Sequence, residues 1–124
     1  MIGEYNLNLN QNGKILYCKV KVEIVEYRTQ PYELTIELLD GIEEYNSRYM
    51  TALKSGIEYF WNFFSKKHFG KTVIKVTFFD AREIDTTYMS IIYSVTKALC
   101  DAYKVEDARL FYNDENFTFS FPSR

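Results

Sequence analysis

Residues 72–103 read TVIKVTFFDAREIDTTYMSIIYSVTKALCDAY, and this stretch decides the fold. Its first eight residues are mostly β-branched or aromatic, which predicts a largely buried strand over 72–79. Polar side chains at 80–83 interrupt that strand, because they are costly to bury without partners. Residues 85–87 then offer side-chain oxygens to the free N–H groups at the start of a helix.

The predicted helix carries an apolar stripe at three- and four-residue spacing, which indicates a face packed against a sheet. The stripe consists of Met89, Ile92, Val95, Thr96, Leu99 and Tyr103. Lys97, Asp101 and Lys104 fall on the opposite, solvent-facing side. A strand leading into a helix needs a second unit of helix and sheet to close its core, and the chain supplies one upstream.

The upstream unit begins with strand-like alternation. Residues 4–10 alternate apolar and asparagine side chains, and Asn12-Gly13 follows as a strong hairpin signal. Residues 14–28 predict a long return strand with Leu, Cys, Val and Ile on one face. Residues 32–39 predict a third strand, so we expect a three-stranded antiparallel meander with one face covered and the other wet.

A long helix is predicted over 46–68, with Gly70 as its stop. Gly56 within this helix is tolerable if another backbone packs closely there. Residues 108–112 and 117–121 predict a final hairpin. The expected order is therefore βββ-α-β-α-ββ, an α+β fold with both helices on one face of a mostly antiparallel sheet.

Composition is that of one soluble globular domain of 124 residues, with 47% apolar and 26% charged residues. Aromatic residues reach 18%, which indicates a core rich in rings, with exposed tyrosines for a partner as the alternative. A net charge of −2 argues against a general polyanion binder but leaves room for a local RNA contact.

The chain carries no sign of secretion or membrane insertion. It begins Met-Ile-Gly-Glu, without the positive start and apolar run of a signal peptide, and no segment approaches a membrane span. Cys18 and Cys100 lie within apolar patterns, so we expect two reduced core residues. These features predict a cytoplasmic protein.

Motifs that carry chemistry are weak. Gly70-Lys71-Thr72 imitates a phosphate-binding loop, but a helix precedes it and a strand follows, the reverse of the required order. His68 is the only histidine, and the two cysteines have no zinc spacing. The clustered carboxylates are those of a solvated face. We therefore predict a protein that is not an enzyme, with no metal, no cofactor and no nucleotide binding.

Three segments, taken in order, carry a family resemblance. Residues 48–58 (RYMTALKSGIE) are similar to a helix of domain IV of translation elongation factor G. Residues 76–87 (VTFFD, then IDTT) are similar to its strand-to-helix turn. Residues 117–122 (FTFSFP) look like the end of the tetracycline-resistance ribosomal protection proteins. The resemblance covers about 14–122.

This resemblance implies a single domain over 1–124 with the ribosomal protein S5 domain 2-like fold. In the translocases, two loops at the tip of this domain contact RNA in the decoding region of the ribosome. They map onto residues 10–14 and 81–85, and the candidate contact residues are Asn12, Lys14, Arg82 and Asp85. The sequence departs from the family in three ways: it holds no GTPase domain, its first loop lacks the Gly- and basic-rich pattern, and its second loop is about two residues shorter.

Two functions remain open. The first is a module that binds the ribosome, RNA or a translation component without catalysis. The second is a protein-interaction or self-assembly module that kept the fold and lost the RNA role. A sheet face dominated by Lys14, Lys19 and Lys21 would favour the first, whereas exposed Tyr17, Val25 and Tyr27 would favour the second. A small enzyme on the same fold is a third class without a supporting motif.

Overall fold

The computed structural model describes residues 1–11, 13–38, 47–63, 70–82, 84–105, 111–113 and 118–121. The elements, in chain order, are β1 (Ile2–Gln11), β2 (Lys14–Tyr27), β3 (Glu33–Leu38), α1 (Ser47–Phe63), β4 (Lys71–Ala81), α2 (Tyr88–Tyr103), β5 (Phe111–Asn113) and β6 (Thr118–Ser120). This order confirms the predicted βββ-α-β-α-ββ arrangement and the α+β class. Residue 46 and residues 64–68 of the predicted first helix, His68 among them, lie outside the described residues.

The main sheet has the strand order β1-β2-β4-β3, so the predicted three-stranded meander is wrong. Strand β4 pairs antiparallel with β2 and parallel with β3, and it separates the two. A parallel pair needs a crossover connection, which α1 supplies between β3 and β4. The central place of β4 follows from its composition, because Val73, Ile74 and Val76 are all buried and a central strand hides more surface than an edge strand.

Both helices cover the same face of this sheet, as predicted. The inward residues of β2 are at most 4% exposed: Leu16, Cys18, Val20, Val22 and Ile24. They share one core with Leu53 and Ile57 of α1 and with Val95 and Leu99 of α2. The alternation seen in the sequence of β2 therefore marks the core face correctly. The arrangement is consistent with the expected ribosomal protein S5 domain 2-like fold.

A β-bulge changes the outward pattern of β4. Lys21 pairs with Phe78 but the next residue of β2, Val22, pairs with Val76, so Thr77 is the extra residue. After the bulge, Phe79 points into the core at 5% exposure and Phe78 lies on the outer face at 38%. Residues 72–79 are otherwise largely buried, as predicted, and Phe78 is exposed because of the bulge.

Helix α2 begins where its sequence predicts. Thr87 is the N-cap: its hydroxyl accepts a hydrogen bond from the N–H of Ser90, and the Ser90 hydroxyl accepts one from the N–H of Thr87. Asp80 and Ala81, by contrast, continue β4 instead of forming a turn. The turn between strand and helix is accordingly shorter than predicted.

The C-terminal hairpin forms a separate two-stranded sheet, in which Phe111 pairs with Ser120. It packs on the helix layer, since the ring centroid of Phe119 lies 4.8 Å from that of Tyr93 on α2. Phe121 continues this contact to Tyr59 on α1, at 5.5 Å. Part of the aromatic surplus therefore joins the hairpin to the helices.

None of the helices in the described part of the chain is both long and apolar enough to cross a membrane.

Gly56 lies where α1 and α2 approach closely, as the sequence predicted. A Cβ at this position would collide with Val95 Cγ1 and come within 3.2 Å of the Ile92 backbone. The contact leaves no room for a side chain, so the packing of the two helices depends on this glycine.

We expect Gly56→Ala to destabilise the protein by about 1–3 kcal/mol in urea unfolding, because overpacking outweighs the better helix propensity of alanine. Glu58→Ala, at an exposed position of the same helix, is the control and should change the free energy of unfolding by less than about 0.5 kcal/mol. A stabilised Gly56→Ala variant would contradict the close approach.

Candidate functional site

The connection between β4 and α2 folds back against β2. The N–H of Tyr17 donates to the backbone oxygen of Asp85 over 2.8 Å. The hydroxyl of Thr86 donates to the backbone oxygen of Tyr17 over 2.5 Å and accepts from the N–H of Arg82 over 2.8 Å. Thr86 is only 5% exposed, so its hydroxyl joins the two segments where water cannot replace it.

Three side chains build the outer surface of this connection. The phenol of Tyr17 donates to Asp80 Oδ2 over 2.6 Å. The guanidinium carbon of Arg82 lies 4.1 Å from the centroid of the Tyr17 ring, a cation–π distance. The hydrogen bond to Asp80 is the main reason that the pKa of Tyr17 is raised above its usual 10.0, because it stabilises the protonated phenol.

Arg82 is exposed and held by stacking on the Tyr17 ring. No carboxylate in the described part of the chain forms an ion pair with its guanidinium. Within the described residues, the N–H donors of this guanidinium thus have no carboxylate partner, and the stacked ring favours one orientation of the group. This geometry suits a phosphate or a carboxylate.

The β1–β2 hairpin projects beyond this connection. The pairing of β2 with β4 stops at Cys18 and Ala81, whereas β1 and β2 stay paired as far as Gln11 and Lys14. At a rise of about 3.4 Å per residue, the hairpin reaches roughly 10 Å further than Tyr17. Gly13 has φ +81°, a conformation that a tight hairpin turn requires and glycine supplies.

The two predicted loops therefore lie at the same end of the sheet, with 10–14 at the tip and 81–85 at its base. Of the four candidate contact residues, Arg82 presents its side chain to solvent, and Asp85 holds the loop through its backbone. Lys14 pairs with Gln11 at the tip, but its side chain is outside the described part. Asn12 is also outside it.

The sequence did not predict that Arg82 stacks on Tyr17 or that Tyr17 is hydrogen-bonded to Asp80. It also did not predict the exposure of Ile84. Ile84, two residues after Arg82 in the sequence, is 93% exposed. The only sequence signal for it is an apolar residue within a polar turn. Tyr17 gives no signal of its own, because its alternation with buried residues marks it merely as outward.

The outer sheet face is mixed. The ammonium groups of Lys19 and Lys21 each lie 5.7 Å from the Phe78 ring, and Lys21 also pairs with Glu4 at 3.7 Å. Tyr27 is 42% exposed, whereas Tyr17 and Val25 are half-buried. Neither pattern dominates, so this face does not decide between RNA and protein binding.

Both cysteines are buried, as predicted. Burial is also the main reason that the pKa of the Cys18 thiol is raised to about 12. A thiol with this pKa stays protonated at neutral pH, and the thiol form is a poor nucleophile. Cys18 therefore behaves as a core residue.

Comparison with known proteins identifies the fold. No protein-family profile and no curated protein sequence matches the chain. Among solved structures, a protein from Thermus thermophilus matches with TM-score 0.54 and 17% identity, over 79% of this chain and 14% of the other. A mevalonate kinase matches with TM-score 0.54 and 14% identity, over 94% of this chain and 43% of the other.

These likenesses define the class of fold alone, because identity is low. They are consistent with a fold like that of domain IV of elongation factor G, with its two helices on one sheet face. The chain spans about one seventh of the Thermus protein and less than half of the kinase. A fold shared with a kinase does not imply kinase activity, because function depends on the residues of the site.

We expect Thr86→Val to destabilise the protein by about 1–3 kcal/mol, because the buried oxygen of Tyr17 and the N–H of Arg82 lose their partner. Thr86→Ser keeps the hydroxyl and should cost about 0.8 kcal/mol for the lost methyl group. Urea unfolding of the two variants distinguishes these effects. Equal losses would show that the hydroxyl does not join the segments.

Proposed function

We propose that this chain is a single translation-factor-like domain that binds the ribosome or a translation component without catalysis. The observation that carries the proposal is the placement of Arg82. It stands exposed and stacked on Tyr17 at the base of the projecting hairpin. In the family that the chain resembles, the loops corresponding to 10–14 and 81–85 contact RNA, which supports the proposal.

The chemistry of this end suits a local contact to the RNA backbone. A guanidinium recognises phosphate through paired hydrogen bonds, and its stacking on Tyr17 lowers the side-chain entropy lost on binding. Lys14 adds a second positive charge at the hairpin end. The overall charge of −2 argues against a large basic surface. Binding to RNA should therefore depend on a few positively charged side chains.

A protein partner is the second candidate, favoured by Ile84. An apolar side chain that is 93% exposed, two residues from an exposed arginine, suits the apolar anchor and charged rim of a protein interface. Such binding would tolerate salt and would depend on Ile84. Ile2, at 74% exposure and the opposite end of the sheet, provides a matched control for Ile84→Ser.

We expect the protein to co-sediment with ribosomes at low salt and Arg82→Ala to weaken binding about fivefold, since one exposed charged contact contributes on the order of 1 kcal/mol. The slope of log affinity against log salt should fall by about one. Arg82→Lys keeps the charge and should retain that slope. Lys14→Ala should act in the same direction as Arg82→Ala.

Arg28→Ala is the matched control, because Arg28 is an exposed arginine just beyond the opposite end of β2 and its removal changes the charge equally. Equal weakening by Arg28→Ala and Arg82→Ala would contradict a specific tip. Salt-resistant binding that only Ile84→Ser removes would favour the protein-partner function. Absence of ribosome binding at any salt would overturn the proposal.

A further inference from the structure

Among the described residues, strand β1 is an edge of the main sheet and pairs with β2 alone. Met1 and Ile24 exchange two backbone hydrogen bonds. The amino group of Met1 donates to the Ile24 oxygen over 3.1 Å, and the N–H of Ile24 donates to the Met1 oxygen over 2.8 Å. In an antiparallel pair such residues alternate, so odd-numbered residues of β1 direct their backbone groups to β2 and even-numbered residues direct theirs outward. The Glu4 N–H confirms this alternation, because it donates outward to Asp101 of α2.

The open part of this edge is limited on both sides. Asp101 occupies it at Glu4 over 3.0 Å, and the hairpin turn ends it after Gln11. Between these limits, Asn6, Asn8 and Asn10 are exposed. Within the described residues, their outward backbone groups have no hydrogen-bond partner. The open backbone groups therefore lie within residues 6–10, and the midpoint of this segment is Asn8.

The two edges of the sheet differ in their protection. Natural edge strands avoid pairing by being short, bulged or charged. Strand β3 follows this rule, since it has only six residues and carries Glu33 and Glu37. Residues 5–11 do not follow it: they contain no charge and no proline, and they pair with β2 without a bulge. The edge of β1 is thus uncharged, regular and open.

We propose that β1 pairs antiparallel with β1 of a second copy of this chain, across a two-fold axis at Asn8. Asn8 then faces Asn8 of the second copy, and Asn6 faces Asn10. The pairing joins two four-stranded sheets into one sheet of eight strands. It satisfies the open backbone groups of all three asparagines, and an isologous contact of this kind closes after two subunits.

The second copy fits this edge because the segment is complementary to itself. Asn8 faces Asn8 of the second copy, and the side chains that face one another on either side of it are uncharged. The pairing therefore brings no like charges together. On the helix side, Leu7 comes opposite Leu9, which is half-buried in the single chain. Pairing thereby covers apolar surface next to the existing core. Arg82 follows β4, which β2 separates from the joined edge, so its side chain stays accessible in the dimer.

Sedimentation equilibrium tests the proposal through charge. We expect a concentration-dependent species of twice 14.7 kDa, and we expect Asn8→Lys to raise its dissociation constant roughly tenfold or more, because two ammonium groups then face each other. Asn6→Lys with Asn10→Glu brings opposite charges together and should dimerise, whereas Asn6→Lys with Asn10→Lys should not. All three positions are exposed, so circular dichroism should show unchanged folding.

Disulfide trapping tests the register with a matched pair. Facing residues that share hydrogen bonds have Cα atoms about 5.5 Å apart, within reach of a disulfide. Asn8→Cys should therefore cross-link with oxidised glutathione. The two copies of Asn6 lie four residues apart, on the order of 14 Å, so Asn6→Cys should not. The native cysteines are buried and should not interfere.

A chain that stays monomeric at its highest soluble concentration would overturn the proposal. So would a dimer that Asn8→Lys leaves intact, or Asn6→Cys cross-linking as fast as Asn8→Cys. Capture of a foreign extended segment by β1, without self-association, would also overturn it.

Discussion

The parallel pairing of β4 with β3 is the constraint on which the rest of the structure depends. It places β4 between β2 and β3, so that the strand with buried Val73, Ile74 and Val76 is central. The crossover through α1 then brings one helix onto the sheet, and α2, which directly follows β4, packs beside it. The close approach at Gly56 lets the two helices share one core over one face.

The same constraint builds the candidate site. Because β4 pairs with β2 as far as Ala81, the turn that follows β4 lies against β2 and hydrogen-bonds to the backbone of Tyr17. The buried hydroxyl of Thr86 fixes that turn, and the fixed turn places Arg82 on the Tyr17 ring. The hairpin of β1 and β2 continues past this point and forms the projecting end. The position of the site therefore follows from strand order. Its chemistry follows from the guanidinium of Arg82 and the ring of Tyr17 on which it stacks.

Sequence patterns predicted the parts of the fold that depend on local periodicity. The inward face of β2, the N-terminal cap of α2 and the glycine contact in α1 all follow from spacing and residue type. Strand order could not be predicted in this way. The alternation of residues in β3 would be the same whether β3 paired with β2 or with β4. The bulge at Thr77, which turns Phe78 outward, is likewise set by the partner strand. The stacking of Arg82 on Tyr17 joins residues far apart in sequence, so only the loop as a whole could be predicted.

Site-specific photocrosslinking in the presence of ribosomes reports directly which end of the domain binds a partner. A photoreactive amino acid at position 84 samples the exposed end of the sheet, and one at position 28 samples the opposite end. If this end binds RNA, we expect cross-links to ribosomal RNA from position 84 and none from position 28. Cross-links from position 28 alone, or equally from both positions, would contradict binding at this end.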